Sequence, residues 1–95
     1  MRLADNEINS IRAAVSAVDP ESRIYLFGSR VDDHRRGGDI DLFVESSFRI
    51  ELMQRLLLEY RISSACDTRV DLLIKSPEDE DMPIHRIARK NGVRL

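Results

Sequence analysis

Apolar positions recur along the chain in two alternating periods, and each change of period marks an element. Ile8, Ile11, Val15 and Val18 fall at intervals of three, four and three, the seam of an amphipathic helix. Asp19-Pro20 closes that helix, because proline disfavours helical geometry in the residue before it. Ile24 to Phe27 is a short β-rich run ended by Gly28-Ser29 and predicts a first strand. The polar stretch 30–38, ending in Gly37-Gly38, predicts a loop, and 39–44 a second strand. Leu52, Met53, Leu56, Leu57 and Tyr60 share one stripe of a helix over about 49–62, which predicts that they face the core. Leu58 lies off that stripe and hints at a partner surface. A third strand is expected at 69–74. Ser76-Pro77 and the acids Glu78 to Asp81 resemble a helix start, which Pro83 restarts or bends. A last helix carries Ile84, Ile87 and Ala88 to Asn91-Gly92, and Val93 to Leu95 are too short to assign.

The long connection through the middle helix predicts that strands two and three run parallel by a right-handed crossover. The shorter link between strands one and two fits an antiparallel pair. The expected fold class is therefore α+β: a small mixed β-sheet with helices packed mainly on one face. At 95 residues the chain forms a single domain, 1–95, with no room for a second, substrate-gripping one. Its 15 basic and 17 acidic residues leave a net charge of -2, so no bulk attraction to nucleic acid or anionic lipid is expected. Cys66 alone excludes an internal disulfide, and with only His34 and His85 beside it no zinc site is expected. Cys66 reads as a small filler residue. The charged start of the chain lacks the apolar stretch of a signal peptide, and no run approaches a membrane span. The cytoplasm is the expected location.

The chemistry is concentrated between Leu26 and Leu42. Strand side chains alternate, so Asp39 and Asp41 project on one side while Ile40, Leu42 and Val44 take the other. Aspartate is depleted in strands, and two carboxylates so placed repel each other unless a cation joins them. Asp71 supplies a third acid within another apolar run and joins them if the strands are neighbours. Oxygen ligands of this kind suit Mg²⁺, which takes a carboxylate or two and completes its shell with water and phosphate. Three carboxylates can hold two such ions, as phosphoryl transfer uses them. Gly28 lets the backbone approach a phosphate, Ser29 offers a hydroxyl and an N–H, and Arg30 adds charge. Arg35 and Arg36 read equally as phosphate contacts or a solvated loop, and His34 as a surface residue. The basic end of the last helix, His85, Arg86, Arg89 and Lys90, suits the helix dipole and needs no ligand.

Gly28-Ser29, a short spacer, Asp39-x-Asp41 and the later Val70-Asp71-Leu72 together resemble the minimal nucleotidyltransferases of the DNA polymerase β superfamily, over nearly the whole chain. That resemblance implies that Asp39 and Asp41 bind Mg²⁺, Asp71 helps activate the attacking hydroxyl, and Gly28 and Ser29 hold the triphosphate of ATP or another nucleotide. One departure is visible: nine residues, not the family's ten, separate Ser29 from Asp39. Stand-alone proteins of this type are commonly antitoxins paired with an all-helical HEPN-type ribonuclease toxin, and some adenylylate it. Two functions follow as expectations: transfer of AMP to a protein hydroxyl, or a non-catalytic binding module that neutralises its partner by complex formation. Retention of all three acids favours the enzyme, since each opposes folding without a cation. An oligomer is compatible with either.

Overall fold

The computed structural model describes residues 3–28 and 39–95. In chain order the elements are α1 (Asp5–Val18), β1 (Arg23–Phe27), β2 (Ile40–Glu45), α2 (Leu52–Cys66), β3 (Val70–Lys75), α3 (Pro83–Asn91) and β4 (Val93–Arg94). The sheet runs β3-β2-β1-β4. β2 and β3 are parallel, and β1 is antiparallel to both β2 and β4. This is the mixed sheet the connection lengths predict, with Val93 and Arg94 forming a short edge strand on β1.

Strand alternation divides the core in two. Ile24, Leu26, Ile40, Leu42, Val44, Val70 and Leu72 meet Ile11 and Val15 of α1 and Leu58 and Ile62 of α2. On the other face Tyr25 and Phe43 pack with Ala88 of α3. Two of the three helices thus share one face, and α3 partly covers the other. The α1 seam behaves as expected, with Ile11 and Val15 fully buried and Ile8 and Val18 half-buried at its ends. Among the described residues no helix is long and apolar enough to cross a membrane.

Three sequence expectations are corrected. α2 is turned by about half a revolution: Leu58 and Ile62 are buried, whereas Leu52, Met53, Leu56, Leu57 and Tyr60 are exposed. On the inward side Arg55 Nη2 donates to the Leu72 carbonyl at 2.9 Å, a contact that accompanies this rotation. The helix also starts later and runs on to Asp67, whose left-handed conformation (φ 49°) ends it. Residues 76–81 form a turn rather than a helix, because Ser76 N–H donates to Asp79 Oδ2 at 2.8 Å and Asp79 N–H returns to the Ser76 carbonyl. In α3 the inward residues are His85 and Ala88, leaving Ile84 and Ile87 about half-exposed. Pro83 opens α3, Met82 N–H donates to His85 Nδ1 at 3.0 Å, and the His85 ring stacks on Phe43 with centroids 5.4 Å apart.

Candidate active site

The acids project from the α3 side of the sheet, the face opposite α1 and α2. Asp41 is in register with Asp71 across the β2–β3 pair and with Phe27 across the β1–β2 pair. Asp39 stands one residue before β2. Arg69 lies between two of them: its Nε is 3.7 Å from Asp39 Oδ2 and 3.8 Å from Asp71 Oδ1. Those two distances keep the two carboxylate oxygens no more than about 7.5 Å apart. Arg69 is largely solvated, with 76 % of its side chain exposed, so these long ion pairs hold the acids weakly.

Asp41 is the most constrained of the three. Burial, the charges of Asp71 and Asp39, and a hydrogen bond with Asp71 all push its carboxyl above the usual aspartate range. A raised carboxyl among like charges marks a place where positive charge is in short supply. Gly28, with φ at +77°, lies directly against it: a Cβ there would collide with the carboxylate, only 2.9 Å from Asp41 Cγ. Only glycine combines that backbone conformation with that approach. The Gly28 and Asp41 signals of the sequence are therefore one piece of geometry.

Among the described residues no three acidic, histidine or cysteine side chains gather closely enough to hold a metal by themselves. The donor set is nonetheless oxygen-only, open to solvent and short of positive charge. It fits a hard cation that takes its remaining ligands from water and a nucleotide's phosphates. Ser29 and Arg30, expected at the phosphates, lie outside the described residues, as do His34, Arg35 and Arg36.

Sequence reasoning missed Arg69, although its position two residues before Asp71 places it on the same strand side. It also missed the ion network behind the site. Arg89 donates from Nε and Nη2 to Glu45 at 3.0 and 3.1 Å and from Nη2 to Asp81 at 2.9 Å. This bidentate grip holds the Glu45 carboxyl below its usual range and ties α3 to the end of β2.

The chain belongs to the polymerase beta nucleotidyltransferase family, whose model matches residues 9–95. No curated protein matches it. Among solved structures it is similar to the toxin–antitoxin MntA–HpeT carrying a double Asp-to-Glu mutation: 27 % identity, TM-score 0.73, over 94 % of this chain and 70 % of that one. It is also similar to the complex of tri-AMPylated Shewanella oneidensis HEPN toxin with MNT antitoxin: 27 % identity, TM-score 0.70, over 94 % and 67 % of the two chains. A tyrosine-to-alanine mutant of MntA–HpeT matches at 26 % identity and TM-score 0.71, over 93 % and 69 %. The structural neighbours are thus MNT antitoxins in complex with HEPN toxin.

Proposed function

We propose that this chain is a cytoplasmic, Mg²⁺-dependent adenylyltransferase that moves AMP from ATP to a hydroxyl of a HEPN-type toxin, of which it is the antitoxin. The observation that carries this reading is the in-register pair Asp41 and Asp71, with Gly28 against Asp41. The AMPylated toxin in the S. oneidensis complex supports the choice of acceptor.

Asp39 and Asp41 would hold the cation, and Gly28 with Ser29 and Arg30 would bind the triphosphate. When bound, the cation neutralises charge on the phosphate oxygens. Asp71, with 53 % of its side chain exposed, would accept the proton of the incoming hydroxyl. The acceptor oxygen then forms a bond to the α-phosphorus, the bond to the β-phosphate bridging oxygen breaks, and pyrophosphate leaves. The open site leaves room for a protein surface to complete it.

Incubation with ATP, Mg²⁺ and the HEPN-type partner should add one or more AMP masses to that partner. Asp41→Asn should abolish the addition. A partner silenced without mass change, and silenced equally by Asp41→Asn, would replace transfer by simple binding.

A further inference from the structure

Arg69 directly precedes β3, and its carbonyl accepts from the Ile40 N–H at the start of β2, at 3.0 Å. Ile40 with Val70 and Asp41 with Asp71 continue that register. By strand alternation the Arg69 side chain therefore shares the acids' side of the sheet. Its Nε faces Asp39 Oδ2 at 3.7 Å and Asp71 Oδ1 at 3.8 Å, a single guanidinium serving two acids from adjoining segments.

The same chain shows how an arginine built to stay is held. Arg89, with 33 % of its side chain exposed, hydrogen-bonds Glu45 at 3.0 and 3.1 Å and Asp81 at 2.9 Å. Arg69 has 76 % of its side chain in solvent, and both its distances exceed hydrogen-bond length. Exposed ion pairs of that length are worth little and exchange readily. Nor does this one charge satisfy the cluster, for burial, and then Asp71 and Asp39, still push the Asp41 carboxyl up. Arg69 is thus a neutralising charge held loosely over acids that remain short of positive charge.

We propose that Arg69 is the built-in counter-ion of these acids, which gives way to the cation arriving with the nucleotide and turns to the phosphates. The proposal rests on reading Asp39, Asp41 and Asp71 as a cation site. A cation ligated by the oxygens that Arg69 now faces would meet its guanidinium at about 4 Å, a repulsion worth roughly five-fold in affinity even in bulk water. A phosphate group relieves that repulsion, because a guanidinium matches its oxygens in shape and charge. Arg69 therefore makes cation and nucleotide bind as a unit, each favouring the other.

Electron paramagnetic resonance titration with Mn²⁺ tests this, without nucleotide and with α,β-methylene-ATP, whose α–β bridge cannot break. Arg69→Met should bind Mn²⁺ alone roughly five-fold more tightly than the unmodified chain. The ratio of Mn²⁺ affinities with and without the analogue should fall by at least as much. Arg69→Lys keeps the charge and should restore most of both values. Arg12→Met on α1, across the sheet from the acids, makes the same change in net charge and should move neither. Circular dichroism should be unchanged throughout, since the Arg69 side chain is largely in solvent. An Arg69→Met chain that binds Mn²⁺ alone no more tightly, or that keeps the full ratio, overturns the proposal and leaves the cation site standing. Absence of Mn²⁺ binding by the unmodified chain, with and without the analogue, overturns both.

Discussion

At the scale of single residues, Asp41 concentrates the conflict between folding and chemistry. Burial is the largest influence on its carboxyl, and Asp71 and Asp39 add to it, so its folded pKa lies above the reference 3.8. The folded chain then binds that proton more tightly than the unfolded chain. Stability therefore declines as pH rises from about 3.8 through the folded value, and remains lowered above it. Asp41→Asn should stabilise the metal-free protein at neutral pH by a few tenths to about 1 kcal/mol, the scale of a relieved cross-strand repulsion. The gain should vanish in thermal melts at strongly acid pH, while calorimetry should show Mg²⁺-dependent ATP binding lost. Lower stability than the unmodified chain at neutral pH would contradict this account. Gly28→Ala meets both a positive φ and the Asp41 carboxylate. It should cost about 1–3 kcal/mol in urea denaturation, with weakened nucleotide binding beside it.

At the scale of elements, the rotation of each helix about its axis decides what it offers. In α2 the sequence carries two apolar seams, and the smaller, Leu58 with Ile62, faces the core, on the side where Arg55 donates to the Leu72 carbonyl. Leu58→Ala should lose about 2–5 kcal/mol by opening a cavity. Leu56→Ala should stay within about 0.5 kcal/mol. Comparable losses in urea titrations would restore the larger stripe to the core. α3 is turned by its own polar contacts: His85 stacks on Phe43, and Arg89 reaches Glu45. Because the Glu45 carboxyl is held below 4.5 in the fold, its contribution is present above that value and is lost as pH falls through the lowered one. Glu45→Gln should thus cost about 1 kcal/mol at neutral pH and almost nothing in strong acid, compared by denaturant titration at the two pH values.

At the scale of the whole molecule, a buried aspartate holds the two ends of the first half together. Asp19, 1 % exposed, accepts from Ser47 N–H at 2.6 Å, Ser47 Oγ at 2.7 Å and Glu21 N–H at 3.1 Å, joining the end of α1 to the exit of β2. Asp19→Ala strands those donors and should cost about 2–4 kcal/mol, seen as a lowered urea midpoint with unchanged slope. In the sequence this residue reads only as a helix stop, because Ser47, which joins it to the exit of β2, lies 28 positions away. The strands, their pairing and the shared side of Asp39, Asp41 and Asp71 were legible beforehand, since a period of two and the connection lengths are local properties. So was the glycine before the polar stretch, though not that it rests on Asp41. The rotation of α2 and α3, the short β4, the turn at 76–81 and the placing of Arg89 belong to the tertiary structure alone. A helix with apolar residues on two sides has no local reason to prefer either. The choice falls to whichever side the strands and their polar anchors leave facing the sheet.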